Sequence, residues 1–371
     1  MAAHPYAAGT SDLIRGSLIN FFGCKGQMAV IMKRFLFYSL ILMSSILTSS
    51  QGWAQERVTI GVGSFNLNNL PYYVALGLNA FAEQGLEVTG ENFATGGSSV
   101  LQALLARSID VGVGFYDHTI QLQSRGKDLV AFVLLARNSG LVLAVGRKWD
   151  GKITDVKSLL ANAKELKFGV TSPGSSSDFF VRYLLQANGL NPKEAKVVGV
   201  GSGQSALAAL KQGQIDVLVN YDPAATMLSR SKVGTILIDA RNDAGAKAVY
   251  GGIYPTSTLY ASREFLQSRK ATVQKIANAM VKTLTWMANH TPAEVVAKIP
   301  PKYVSGDRDS YIEALANTQT LFSKDGAFEP KDLETPLKVL QTFNKDVKAK
   351  SIDLQKTYTN DFVNKAQRGG K

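Results

Sequence analysis

Cysteine is nearly absent from this 371-residue chain: Cys24 stands alone. That excludes a disulfide scaffold, a CxxC redox motif and a cysteine-based zinc site. Histidine is almost as rare. His4, His118 and His290 lie far apart in sequence, so neither a multi-histidine metal site nor any cofactor is expected. The formal charge is +12, yet the basic residues are spread singly, with no run of five and no interleaved aromatics. A solvated basic surface has that pattern, and no nucleic-acid partner is expected. The G-x-S-x-G elbow, HExxH and the P-loop are all missing, and Gly61-x-Gly63 lacks the third glycine of a dinucleotide fingerprint. Ser176, His118 and an aspartate have the residue types of a triad, but no spacing supports one.

Long apolar runs are lacking too, with one short exception. Lys33-Arg34 precedes 13 largely apolar residues, 35–47, followed by Thr48-Ser49-Ser50-Gln51-Gly52-Trp53-Ala54. Thirteen falls well short of the ~20 residues that span a bilayer. A basic head, a short apolar body and small residues at Gly52 and Ala54 are the parts of a cleavable secretory signal. Cleavage is expected after Ala54, with the true start at Met28 or Met32, and a soluble exported protein results. Without residues 1–54 the chain loses Arg15, Lys25, Lys33 and Arg34 against Asp12, which leaves +9 and no cysteine.

What remains alternates short β-branched runs with helix-length amphipathic segments. Strands are expected at 58–62, 86–93, 109–114, 130–136, 141–146, 167–171, 195–200, 215–220 and 235–238. Helices are expected at 71–84, 98–107, 117–125, 176–188, 204–212 and 223–230. This is the pattern of βαβ units with mostly parallel sheet. An internal repeat is superimposed on it. A shift of 106 residues aligns 97–113 with 203–219, with nine of 17 positions identical, including Ile109-Asp110-Val111 and Ile215-Asp216-Val217. With small gaps, Gly61-Val62-Gly63-Ser64 matches Gly169-Val170-Thr171-Ser172. Such a period is too long for a solenoid and describes two similar α/β lobes. Asp110 and Asp216, repeated with the fold, are expected to be structural. Beyond residue 260 the pattern turns helical. Val273, Ile276, Ala277, Met280, Leu284 and Met287 share one helical face in 272–290, and this tail must pack on an existing lobe.

Ligands of open α/β sheets bind beyond the carboxyl ends of the strands. There the first half offers Ser64 and Asn66, then Gly97, Ser98 and Ser99, then Tyr116 and Asp117. The second half offers Ser175, Ser176 and Ser177, then Tyr221 and Asp222. Glycines and hydroxyls ahead of helices leave N–H groups free for an anion without any formal positive charge. The same residues also serve as ordinary helix caps. Tyr72 and Tyr254 are further candidates for aromatic walls. Asp222 has two readings, a cap ahead of Pro223 or the partner of a cationic ligand group, with Asp117 as a second acceptor.

In order along the chain, Pro71-Tyr72-Tyr73-Val74-Ala75, Thr95-Gly96-Gly97-Ser98-Ser99, Ser172-Pro173-Gly174-Ser175-Ser176-Ser177, Tyr221-Asp222-Pro223 and Tyr254-Pro255-Thr256 resemble the nitrate/sulfonate/taurine group of periplasmic substrate-binding proteins of ABC importers. The resemblance covers about 56–300 well and the tail loosely. It implies a two-lobed type II periplasmic binding protein, a Venus flytrap whose lobes are mostly parallel sheets flanked by helices. Lobe 1 would comprise 55–145 and 251–371, lobe 2 would comprise 146–250, and the crossings would lie near 141–146 and 256–260. The implied function is a monomeric, non-enzymatic periplasmic receptor. It would bind a small anionic or zwitterionic organic molecule, sulfonate- or taurine-like, and deliver it to a membrane permease with its ATPase. No cysteine follows the signal, so a lipoprotein is not expected. The alternatives are an enzyme on the same scaffold, akin to the family's pyrimidine-forming relative, or a receptor for nitrate or an aromatic carboxylate.

Overall fold

Among the residues that the computed structural model describes, 55–63, 65–93, 96–304 and 307–369, ten strands fall into two five-stranded sheets. The expectations for residues 1–54, Ser64 and Thr95 lie outside the described residues. In chain order the strands are β1 (Glu56–Val62), β2 (Leu86–Asn92), β3 (Val111–Phe115), β4 (Leu129–Leu134), β5 (Leu141–Gly146), β6 (Lys167–Val170), β7 (Lys196–Gly199), β8 (Val217–Tyr221), β9 (Gly234–Ala240) and β10 (Ser257–Ser262). Helices α1 (Leu70–Gly77), α2 (Gly97–Leu105), α3 (Asp117–Ser124), α4 (Val156–Ala161), α5 (Ser176–Ala187), α6 (Gln204–Lys211), α7 (Ala224–Ser231) and α8 (Asp243–Tyr250) connect them. After β10 come α9 (Arg263–Ser268), α10 (Lys270–Ala288) and shorter helices ending at Asp361–Gly369.

The first sheet runs β2-β1-β3-β10-β4 and the second β7-β6-β8-β5-β9. In each, one strand opposes the rest: β10 is antiparallel to β3 and β4, and β5 is antiparallel to β8 and β9. These two strands follow the crossings between sheets. Leu141–Gly146 pairs wholly within the second sheet, so the chain crosses in 135–140, ahead of the strand rather than along it. It returns in 251–256. The crossings are bonded to each other: Thr256 N–H donates to Ala136 O at 2.9 Å, and Asn68 Nδ2 donates to Ser139 O at 3.0 Å and to Thr256 Oγ1 at 3.1 Å.

The repeat has a structural meaning. Asp110 accepts the Thr59 N–H of β1 at 2.8 Å, and Asp216 accepts the Lys167 N–H of β6 at 3.0 Å. In both copies the isoleucine before the aspartate lies over a glycine of the neighbouring strand. A methyl group at Gly61 would come within 2.5 Å of Ile109 Cδ1, and one at Gly169 within 2.2 Å of Ile215 Cδ1. Each lobe thus uses one Gly/Ile/Asp set to fix strand spacing and register.

The apolar face read from 272–290 is buried as a whole in α10, against Val130, Val133 and Leu259 of the first sheet. The tail packs on this sheet as well, with Phe343 reaching Phe179 of α5 at 5.8 Å between ring centroids. The expected helix at 71–84 is shorter. It ends at Gly77 and a separate turn follows at Ala82–Gln84.

Candidate functional site

The carboxyl ends of both sheets face a common cavity of about 20 Å³, lined by Gly63, Asn66, Asn69, Gly97, Gly114, Phe115 and His118 on one side and Thr171, Ser175, Ser176 and Tyr221 on the other. That is room for about one water molecule. Three helices of eight or more residues start at its wall: α2 at Gly97, α3 at Asp117 and α5 at Ser176. Among the described residues no lysine or arginine lines it. The first-turn N–H groups of such helices carry partial positive charge.

Polar contacts close the gap between sheets. Ser98 Oγ and Ser172 Oγ are 2.9 Å apart, Ser202 Oγ donates to Phe65 O at 2.8 Å, and Leu67 N–H donates to Asp222 O at 2.8 Å. A fourth contact joins buried groups, with Ser176 Oγ donating to Asp117 Oδ1 at 2.8 Å. Tyr254 OH donates to the other oxygen, Oδ2, at 3.1 Å. Burial pushes the Asp117 carboxyl up from its ordinary value, against the pull of His118 and of these hydrogen bonds. Burial pushes His118 down, opposed by Asp117.

Behind the cavity lies a hydroxyl cluster. Thr171 Oγ1 donates to Ser175 Oγ at 2.8 Å, Ser175 Oγ donates to Ser172 O at 2.7 Å, and Ser177 Oγ accepts the Thr171 N–H at 3.0 Å. Ser177 also bonds the Tyr221 hydroxyl, whose pKa burial raises well above the usual range. Ser177 is therefore a support for Ser175 and Tyr221 rather than part of the wall. Ser176 does meet His118 and an aspartate in space, but its hydroxyl donates to the carboxylate. The Ser-to-His hydrogen bond of a nucleophilic triad is not the arrangement found.

Several sequence candidates stand elsewhere. The Tyr72 ring packs among Tyr73 and Phe81 in the core of the first sheet. The Tyr116 hydroxyl meets Thr357 Oγ1 at 2.5 Å, with its ring near Phe328. Both are core aromatics. Neither Ser98 nor Ser99 lines the cavity, and Ser98 instead meets Ser172 across the gap. Asp222 is occupied: Oδ1 accepts the Thr226 N–H and hydroxyl, each at 2.8 Å, and Oδ2 accepts Arg241 Nη1 at 3.0 Å. The cationic partner envisaged for Asp222 is thus Arg241 of the chain itself, and α7 begins at Ala224, one residue after Pro223.

Asn69, Thr171 and Arg241 are not among the site residues expected from the sequence, and His118 entered only as a triad candidate. Thr171 was detectable, since it adjoins the Ser172–Ser177 run at a strand end. His118 follows Asp117 at the start of α3 and carried the same signal. Arg241 carried none.

Comparison with known proteins places this geometry in context. Residues 52–300 match the NMT1-like family. A protein of Bordetella bronchiseptica RB50 is similar at 33% identity and a TM-score of 0.81, covering 85% of this chain and 98% of that one. The periplasmic nitrate-binding protein NrtA from Synechocystis PCC 6803 shares the fold at 15% identity and a TM-score of 0.67, covering 84% of this chain and 88% of that one. The alkanesulfonate-binding protein SsuA from Xanthomonas axonopodis pv. citri, bound to MOPS, shares it at 16% identity and a TM-score of 0.62, covering 78% of this chain and 93% of that one.

Proposed function

The chain belongs to the NMT1-like family, and from that premise we propose that it is an exported, periplasmic solute receptor. In this reading it holds a small anionic or zwitterionic organic molecule between its two sheets and hands it to an ABC-importer permease. The observation that carries the reading is the convergence of α2, α3 and α5 on a cavity walled by hydroxyls and amides, with no lysine or arginine among the described residues that line it. Helix N-termini of this kind favour an oxyanion. The names of the neighbours, nitrate-binding and alkanesulfonate-binding, support the same ligand class.

The cavity of about 20 Å³ is far below the 300–1,000 Å³ usual for small-molecule sites. Binding therefore exchanges contacts between the sheets for contacts with the ligand. The Ser98–Ser172 and Ser176–Asp117 bonds are the ones to be replaced, and rotation about the bonded crossings at 135–140 and 251–256 opens the way. A ligand that touches both sheets then selects the closed arrangement.

Calorimetric titration of the purified protein with nitrate, ethanesulfonate, taurine and benzoate tests the reading. One-to-one binding of at least one of them is expected, weakened about tenfold by Ser176→Ala, with the ligand recovered unchanged. Silence toward all four, or chemical conversion of the ligand, overturns it.

A further inference from the structure

The imidazole of His118 is 1% exposed and lines the cavity, yet its Nε2 has no hydrogen-bond partner. Its Nδ1 faces the Tyr260 hydroxyl at 3.4 Å, and Nε2 lies 3.9 Å from Asp117 Oδ1, beyond hydrogen-bonding distance. A buried polar atom is normally paired, and an exception calls for an explanation. Opposite the ring is Gly97, where a methyl group would come within 2.5 Å of His118 Cε1 and 3.4 Å of Nε2. The open nitrogen thus sits beside the start of α2, at the point where an oxyanion would also meet the N-termini of α3 and α5.

We propose that Asp117 and His118 act as one proton-accepting unit, so that the cleft takes an amine-free oxyanion of the sulfonate, carboxylate or nitrate type together with one proton. This rests on the reading of the cleft as an anion site. The incoming anion displaces the Ser176 hydroxyl from Asp117 and accepts the N–H of His118 Nε2. The proton comes from solvent and stays on the Asp117–His118 unit, and no covalent bond is made or broken. Without it, the Asp117 carboxylate and the ligand would place two negative charges in one buried space, with no lysine or arginine among the described residues of its wall.

Among the described residues, the surroundings leave no other group to take the proton at neutral pH. The titratable neighbours are Tyr260 from β10, Tyr221 from β8, Tyr250 from α8 and Tyr254 from the segment before β10, all held above their ordinary value by burial and therefore neutral. On α5, Asp178 is tied to Arg182 at 2.9 Å. Toward His118, α5 presents the Phe179 ring, 6.2 Å between centroids. Burial also leaves Asp117 with a raised affinity for a proton and His118 neutral in the free protein, so capacity for one further proton exists before the anion arrives.

Calorimetry of the purified protein with ethanesulfonate, nitrate and taurine decides the matter. Titrations are run at several pH values and in buffers of different ionisation heat. For ethanesulfonate or nitrate, uptake approaching about one proton is expected, with affinity falling up to about tenfold per pH unit as pH rises above the free unit's titration. His118→Gln and Asp117→Asn should each flatten that profile and abolish the uptake. Taurine, whose ammonium would pair with ionised Asp117, should bind without uptake if it binds at all. Absence of binding by both anions at every pH overturns this proposal, and silence of taurine and benzoate as well overturns the anion-site reading with it. Anion binding without proton uptake, or uptake unchanged in both variants, overturns this proposal alone.

Discussion

Ser176→Ala removes a hydroxyl that bonds a fully buried carboxylate across the two sheets, and the consequence for stability depends on pH in a calculable way. The bond is 2.8 Å long, and Asp117 keeps only the Tyr254 hydroxyl on its other oxygen once the serine is gone. Hydrogen bonds to charged groups contribute about 1.5–3 kcal/mol, and those between neutral groups about 0.5–1.5 kcal/mol. Burial already holds the Asp117 carboxyl above its ordinary value, and loss of a bond that favours the ionised form lifts it further. A carboxyl with a raised folded pKa binds more protons folded than unfolded, so stability falls as pH climbs through that window. The deficit of Ser176→Ala against wild type should therefore be about 1 kcal/mol where the carboxyl is protonated and grow to about 1.5–3 kcal/mol as rising pH ionises it. Urea unfolding followed by tryptophan fluorescence at a series of pH values measures it. A deficit that stays constant with pH, or shrinks as pH rises, refutes the reasoning.

Two further outcomes follow from contacts already described. Asp222→Asn breaks the bond to Arg241 and weakens the cap on Thr226. It should cost about 1–3 kcal/mol of stability and change affinity for taurine and ethanesulfonate by the same factor; a loss confined to taurine would restore Asp222 as a ligand contact. Gly169→Ala drives a methyl group to 2.2 Å from Ile215 Cδ1 and should destabilise by about 1–3 kcal/mol, the usual penalty of overpacking. Ile215→Val removes that Cδ1, so thermal melts of the double variant should show less than the sum of the two single losses; strict additivity contradicts the proposed contact.

The parts legible in the sequence are those set by local pattern. Nine of the ten strands were foreshadowed by short apolar runs, β10 only by the family resemblance, and the face of α10 by its period. The repeat pointed to Asp110 and Asp216, whose matching bonds to Thr59 and Lys167 explain why that aspartate recurs. Strand order was not legible, and it decides the fate of Asp222. Leu141 pairs with both Tyr221 and Ala240 because β5 lies between β8 and β9. Asp222 and Arg241, each one residue further on, consequently flank the same strand end, although nothing local links positions 222 and 241. Side-chain direction was equally hidden. The repeat pairs Phe115 with Tyr221, and both line the cavity, whereas Tyr116, one residue further on, enters the core beside Phe328. His118 was weighed only as a member of a triad, and its open Nε2 is visible only once Gly97 and Phe179 are packed around it.

The central claim is that an oxyanion is held between the sheets at the starts of α2, α3 and α5. Crystals of the protein grown with 2-bromoethanesulfonate test it directly, since the bromine is located by its anomalous scattering and the sulfonate by its density. The account predicts sulfonate oxygens within hydrogen-bonding distance of Gly97 N, His118 Nε2 and Ser176 Oγ, with Asp117 released from Ser176. A sulfonate bound instead in the larger cavity of about 680 Å³ beside Leu284, Met287 and Phe322, with the Ser176–Asp117 bond intact, would contradict it.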